Sequence, residues 1–121
     1  MEDVGRTLAH GIARRFALRR WGVAGMYGRL SMMQGQPGNR ASMEPIADRF
    51  LPHFRRQKGF RDVTFFLDEQ SGLYGSFSRW DSRDDAEVAG EAMRSELQQA
   101  VAEVGLQGPQ IRLVEIYEPK G

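Results

Sequence analysis

The sequence contains no cysteine and only two histidines among its 121 residues. The lack of cysteine excludes disulfide bridges, thiolate catalysis, and zinc or iron–sulfur sites that use cysteine ligands. The two histidines, His10 and His53, lie too far apart in sequence to suggest a histidine-rich metal site. No stretch approaches the roughly 20 apolar residues that a membrane-spanning helix needs. We therefore expect a small domain that uses no metal, no thiol and no membrane anchor.

Net charge is also nearly absent, since 17 basic residues face 16 acidic ones. The basic excess lies in residues 1–25, and the rest of the chain is mildly acidic. Arg14-Arg15 resembles the start of a twin-arginine export signal, but no apolar run of 7–15 residues follows it. We therefore expect a cytoplasmic protein. We interpret 1–25 as a basic, poorly ordered extension, or as an artefact upstream of a true start at Met26.

The basic extension leaves one alternative open, which is an arm that binds nucleic acid or anionic lipid. The strands carry no aromatic and basic sheet-face signature of an RNA-binding module, and the body is acidic. We therefore expect no nucleic-acid partner.

From Met26 onward, the hydrophobic pattern predicts a strand over 26–33 and then a helix that ends near Gln57. Gly35 to Asn39 form the turn between them, and Ser42 is the predicted N-cap of the helix.

The second half of the chain is predicted to form two strands, a helix and a last strand. Aromatic-rich runs at 61–67 and 73–80 flank a short turn and predict a β-hairpin. Ser82, with Asp85 three residues later, predicts the start of a second helix, which Gly105 ends. A last strand is predicted over 111–117.

The predicted order β–α–β–β–α–β is typical of the α+β ferredoxin-like plait, in which both helices cover one face of an antiparallel sheet. The strands nevertheless carry apolar residues on both faces, as Phe65 and Phe66 show. The uncovered face therefore needs a partner, and we expect a homodimer through this open sheet face.

Several segments between residues 26 and 118 resemble the antibiotic biosynthesis monooxygenase domain family. The resemblance implies that 26–118 form a domain of that family and that two copies build a dimeric α/β barrel. The segments that carry it are Gly59-Phe60, Asp68-Glu69-Gln70-Ser71-Gly72, Trp80-Asp81-Ser82-Arg83-Asp84-Asp85-Ala86 and Val114-Glu115-Ile116-Tyr117-Glu118.

The family resemblance also implies a function. Its members include cofactor-independent oxygenases of quinols and anthrones, with a pocket between the sheet and the helices of each subunit. We therefore expect a monooxygenase that uses O₂ and no cofactor on a small, electron-rich aromatic substrate. Family enzymes often carry a histidine about nine residues after the tryptophan, where this chain has Ala89. The alternative is a non-catalytic, ligand-binding or stress-associated dimer of the same fold.

Two residues are candidates for a catalytic role. His53 is the only histidine after residue 25, and its side chain is suited to abstract a phenolic or anthrone proton. Arg29, directed into a dry pocket, would stabilise a developing enolate or phenolate. The alternatives are an exposed histidine at the polar edge of the first helix and an arginine on the open sheet face or at the dimer rim.

Five further side chains are candidates for substrate binding, and all are aromatic or basic: Trp80, Tyr27, Tyr74, Arg79 and Phe65. Trp80 would stack on a planar substrate, or else close the core where the strand meets the second helix. Arg79 would bind an anion, or else pair with Asp62 or Glu115 on the sheet surface.

Overall fold

A computed structural model describes residues 26–120, and the predictions for residues 1–25 lie outside this range. Four strands form one antiparallel sheet in the order β2–β3–β1–β4. This order confirms the predicted plait. The elements are β1 (Tyr27–Gln34), α1 (Arg40–Arg55), β2 (Phe60–Asp68), β3 (Leu73–Trp80), α2 (Arg83–Glu103) and β4 (Gln107–Glu115).

The two helix starts follow different rules. Ser82 caps α2 as predicted, because its Oγ accepts a hydrogen bond from the backbone N–H of Asp85 at 3.1 Å. The prediction that Ser42 caps α1 is wrong. The helix begins at Arg40, and Asn39 precedes it without a side-chain cap. Gly38, with φ of 78°, completes the turn directly before, so the chain enters the helix three residues earlier than predicted.

The last strand begins four residues earlier than predicted and ends at Glu115. Its first residue, Gln107, pairs with Gln34, so the ladder with β1 extends through Pro109. A proline fits at this position because β4 is an edge strand, where a missing N–H need not break a ladder. The sequence pattern missed this extension because glycine and proline usually mark a turn.

The register of the sheet divides the strand residues between two faces. Tyr27, Arg29, Ser31 and Met33 lie opposite Trp80, Ser78, Ser76 and Tyr74, which confirms the predicted shared face of the first strand. We call this the covered face, because its tryptophan and tyrosine pack in core clusters with residues of both helices. The other side, the open face, carries the side chains of Leu30, Met32, Phe66, Phe77 and Arg79.

Two apolar clusters hold the helices on the covered face. One surrounds Trp80 and includes Phe50, Phe54 and Met93. The other surrounds Tyr74 and contains the side chains of Met33, Met43, Val101 and Leu106. Within residues 26–120, neither helix combines the length and the apolar character needed to cross a membrane.

Candidate ligand-binding site

A cavity of about 380 Å³ lies between the covered face and the helices. This volume falls within the roughly 300–1,000 Å³ of small-molecule sites. Most of its lining is apolar or aromatic and comes from both helices and the three strands β1, β2 and β3. These apolar side chains are Met33, Met43, Ile46, Ala47, Phe50, Phe54, Phe65, Leu67, Met93 and Leu97.

Arg29 is the buried cation of this cavity, with 9% of its surface exposed. Among residues 26–120 it has no ion-pair partner, and burial lowers the pKa of its guanidinium. Arginine stays charged in proteins even so. A buried charge without a counter-ion is costly, so this position favours a ligand that carries a negative charge.

Gly90 in α2 provides the space for that guanidinium. A Cβ at this position would lie 2.8 Å from Nε of Arg29, which is closer than real Cβ contacts. Glycine inside a helix costs about 1 kcal/mol relative to alanine. The helix α2 therefore has a residue of low helix propensity at the position that leaves space for the guanidinium of Arg29.

Two hydroxyl groups on the covered face are buried without a hydrogen-bond partner among the described residues. They belong to Ser31, which is 3% exposed, and Tyr74, which is 1% exposed. Both residues line the cavity. Each hydroxyl oxygen has less than 1 Å² of accessible surface, so both lie behind the wall of the cavity rather than at its open space.

The opening of the cavity lies at the start of α1. Arg40 and Glu44 line it, and their side chains are about half exposed. Arg40 contacts Glu44 at 3.4 Å and Glu69 in the hairpin turn at 3.5 Å. These exposed pairs connect the helix to the hairpin at the rim, where ion pairs contribute little to stability.

A second cavity of about 540 Å³ lies between α2 and β4. Its apolar wall includes Ile111 and Leu113, and its charged residues, such as Glu91 and Arg94, are exposed. Arg29 is its only buried charged residue among the described ones. Arg29 lines both cavities, and Gly90, which faces its guanidinium, lines the second. We centre the site on the first cavity because its lining is mostly apolar and aromatic.

Neither a protein-family model nor a curated protein sequence matches the chain. Solved structures do match it. SnoaB, a cofactor-independent oxygenase from Streptomyces nogalater, is 20% identical with a TM-score of 0.62, over 78% of this chain and 96% of that chain. A proposed antibiotic biosynthesis monooxygenase from Bordetella bronchiseptica is 22% identical with a TM-score of 0.61, over 78% and 99%. The chain has the antibiotic biosynthesis monooxygenase fold.

A further structure extends this likeness at lower identity. A proposed antibiotic biosynthesis monooxygenase from Deinococcus radiodurans is 12% identical, with a TM-score of 0.66 over 78% of this chain and 96% of that chain. The resemblance predicted from the sequence is thus confirmed at the level of the fold. At these identities, function must be argued from the site itself.

Three of the predicted site residues line the cavity: Arg29, Tyr74 and Phe65. Trp80 does not line it. Its side chain is completely buried, its Nε1–H donates to Ser78 Oγ at 2.9 Å, and it packs against Phe54. The structure therefore supports the core role of Trp80 that the sequence left as an alternative.

Tyr27 and His53 also lie outside the lining of the cavity. Tyr27 is the first residue of β1, and the guanidinium of Arg83 lies 5.9 Å from its ring centroid. His53 lies between the helices, with Nε2 2.9 Å from Oε2 of Glu96, while Arg56 donates to its Nδ1 at 2.9 Å. The helical angle of position 53 directs the ring toward α2 rather than the sheet. The structure therefore does not bring this predicted base to the cavity.

Arg79 lies on the open face, which is the opposite side of the sheet from the cavity. Its Nε–H donates to Oδ1 of Asp62 at 2.9 Å, and a second contact joins the same two side chains. This hydrogen bonding raises the pKa of Arg79. The predicted role in substrate binding at this cavity is thus corrected, because strand alternation places 79 opposite to 80. The alternative pairing with Asp62 is confirmed.

Two features of the site escaped the sequence interpretation. Ser31 was recognisable only as a neighbour of Arg29 on one strand face, and nothing local indicated that its hydroxyl would lack a partner. Gly90 left a signal as a glycine in the middle of a helix. Across residues 26–120, no three His, Asp or Glu side chains are grouped so that they could hold a metal ion.

Proposed function

We propose that this protein binds a small, electron-rich aromatic molecule of the quinol or anthrone type as its anion, and oxidises it with O₂ without a cofactor. The observation that carries the proposal is Arg29, a buried cation without a described counter-ion in an aromatic-lined cavity. The description of SnoaB as a cofactor-independent oxygenase supports the oxygen chemistry.

Arg29 would promote the first step by stabilising the substrate anion. An opposite charge within about 4–6 Å lowers the pKa of an acid by about 1–3 units. The effect is strong here because the cavity is largely apolar and screens charge poorly. A bound phenol or anthrone would therefore release its proton to water more readily than in solution, without a buried carboxylate or histidine.

The oxidation then needs only the substrate anion and O₂. The carbanion form transfers electrons to O₂, a C–O bond forms, and one proton is taken up to give a hydroperoxide. Loss of water leaves a carbonyl group. A CH₂ group and O₂ thus become C=O and H₂O, with one oxygen atom in each product.

The test measures O₂ uptake with an oxygen electrode on a panel of naphthoquinols and anthrones, with product mass determined for each. We expect uptake above the rate without protein, and Arg29→Gln to lower kcat/KM about 100-fold, since losing one partner of a buried charge pair costs about 2–5 kcal/mol. Arg79→Gln is the matched control, because it changes an arginine on the other face. No uptake above background across the panel would overturn the proposed oxidation.

A second candidate function is ligand binding without turnover. It is favoured by the lining of the cavity, which among described residues has no histidine and only one carboxylate, Glu44, exposed and paired with Arg40. Ligands that raise the melting temperature without O₂ uptake would support this function.

We also propose that a second copy of the chain covers the open face. The side chains of Phe66 and Phe77 lie over Gly75 and Gly28, where any Cβ would collide with their rings. The rings therefore lie flat on the sheet, and they form an apolar surface together with Leu30 and neighbouring residues. Such a surface supports a two-fold contact. Sedimentation velocity tests it, with a dimer expected at micromolar concentration and a monomer at all concentrations as the contrary result.

A further inference from the structure

We propose that the second cavity, between α2 and β4, binds a small aliphatic carboxylate through the guanidinium of Arg29. This ligand would compete for the same guanidinium with the aromatic anion of the first cavity. The carboxylate site depends only on residues that line the second cavity. The competition rests on the proposed function, because it requires an aromatic anion in the first cavity.

The guanidinium of Arg29 lies at the wall of the second cavity. Gly90 lines this cavity and not the first one. A Cβ on Gly90 would lie 2.8 Å from Nε of Arg29 and 3.2 Å from its Nη2. The glycine that borders the second cavity is thus in direct contact with the cation and has no side chain to cover it. An anion in this cavity would therefore reach the guanidinium from the side of α2.

The charges around the second cavity leave Arg29 as the group that needs a counter-ion. Its side chain is buried, and it has no ion-pair partner among residues 26–120. The two carboxylates in the lining already have partners, because Glu87 lies 3.3 Å from Arg83 and Glu91 lies 2.6 Å from Arg94. These pairs are exposed, and water and salt screen them. A buried cation without a counter-ion favours an anionic ligand.

The apolar wall of the second cavity runs along β4 and starts beside Arg29. Leu113 is the partner of Arg29 in the ladder between β1 and β4. Ile111 and Pro109 follow at alternate positions, so the three side chains lie on one side of the strand over about 13 Å. All three are half-buried, and Leu97 of α2 lines the same cavity. A carboxylate at Arg29 would therefore leave its alkyl chain along this wall.

The two cavities differ in the kind of apolar side chain that lines them. Among the described residues, no aromatic side chain lines the second cavity. The first cavity has four: Phe50, Phe54, Phe65 and Tyr74. Aromatic rings gain additional energy by stacking on other rings, and an aliphatic wall does not supply that energy. The second cavity therefore favours an alkyl chain, and the first favours an aromatic ring system.

Isothermal titration calorimetry with octanoate tests the carboxylate site. Octanamide is the matched ligand, because it has the same chain without the charge. We expect the wild-type protein to bind octanoate at least about 10-fold more tightly than octanamide, the effect of hydrogen bonds between charged groups. Equal affinities, or no binding of octanoate, would overturn the site. Neither result involves an aromatic anion or O₂, so the proposed function would stand.

Substitutions then locate the bound octanoate. Ile111→Glu adds a carboxylate to the second cavity alone and should weaken octanoate binding at least about 10-fold through charge repulsion. Ile111→Gln has the same size without the charge and should weaken it less. Phe65→Leu changes only the first cavity, so the affinity for octanoate should change by less than about 2-fold. Circular dichroism verifies that the variants are folded. The opposite pattern, with a loss in Phe65→Leu and none in Ile111→Glu, would place octanoate in the first cavity and overturn the site.

A competition titration tests whether the two cavities share the guanidinium. The probe for the first cavity is 2-hydroxy-1,4-naphthoquinone, which is ionised near neutral pH. Saturating octanoate should raise its apparent Kd at least about 5-fold, the usual lower range of coupling between sites. Octanamide should change it by less than about 2-fold, and Arg29→Gln should weaken both anions at least about 10-fold. An unchanged affinity for the quinone in octanoate would overturn the competition. Binding of octanoate without any binding of the quinone would contradict the proposed function and support the carboxylate site.

Discussion

The two faces of the sheet differ in polarity, and the difference is the reverse of what their burial predicts. The covered face buries Arg29, Ser31, Ser76 and Ser78 at its centre. The open face carries the apolar side chains of Leu30, Met32, Phe66 and Phe77, none of which is fully buried. In an ordinary domain the buried face is apolar and the exposed face is polar. This inversion supports the two proposals made above, that a small molecule binds on the covered side and that a second chain covers the open face.

The fold tolerates a polar centre on its covered face because the apolar contacts lie at both ends of it. The cluster around Trp80 lies at one end, and the cluster around Tyr74 lies at the other. The cavity, with its unpartnered polar groups, lies between them. Trp80 belongs to a cluster without lining the cavity, whereas Arg29 lines the cavity without belonging to either cluster, so substitutions at these two residues should separate stability from binding.

The largest effect on stability is expected from truncating Trp80, which packs at one end of the covered face. Trp80→Ala should lower the free energy of unfolding by about 3–5 kcal/mol, the usual cost of deleting a buried aromatic side chain. Urea unfolding measures this change. Val88→Ala, at an α2 position that is 62% exposed, is the control and should change stability by less than about 0.5 kcal/mol. A small effect of Trp80→Ala would mean that this end is not the structural one.

A charged residue on the open face tests whether this face forms the proposed dimer. Phe77→Asp should weaken the proposed dimer by at least about 3 kcal/mol, because a two-fold contact carries each substitution twice and a central apolar residue contributes about 2 kcal/mol or more. Analytical ultracentrifugation measures the dissociation constant, and circular dichroism verifies that the variant is folded. Val88→Asp places the same acid on α2 and should leave the dimer intact. A folded Phe77→Asp dimer would contradict the role of this face.

The smallest effect in free energy is the sharpest test of the covered face. Arg29→Met should raise the stability of the ligand-free protein by about 1–2 kcal/mol, since it removes a buried charge without a counter-ion. Because burial lowers the pKa of Arg29, the charged guanidinium costs stability throughout the neutral range. The same variant should lose its affinity for anionic aromatics. Urea unfolding and calorimetry measure the two effects.

The control for this prediction is Arg79→Met on the open face. It breaks the pair with Asp62, so stability should fall by about 1 kcal/mol or less, and affinity for aromatic anions should not change. Destabilisation by Arg29→Met would indicate a structural role for its guanidinium and would contradict the proposed anion site.

Much of the architecture was predictable, because periodicity and turn residues are local signals. Strand alternation gave the shared face of Arg29 and Ser31, and the Ser82 cap was visible as a local motif. The start of α1 and the extent of β4 were not predictable in the same way. They depend on the turn at Gly38 and on pairing between Gln107 and Gln34, which brings together residues far apart in sequence.

The site was only partly predictable, for a related reason. Arg29, Tyr74 and Phe65 reach the cavity because each lies on the strand parity that faces the helices. His53 and Trp80 were candidates by chemical type, and type does not decide which space a side chain enters. The packing of α1 against α2 directs His53 to Glu96, and the packing of α2 against the sheet buries Trp80.

The sequence by itself determined the order of the strands and helices, the two-sided apolar character of the sheet, and the lack of cysteine. Only the tertiary structure decided which arginine is buried without a partner and which is paired. Arg29 and Arg79 are both strand residues with the same chemistry. Their surroundings differ because the helices cover one face of the sheet, and solvation depends on what lies across space rather than along the chain.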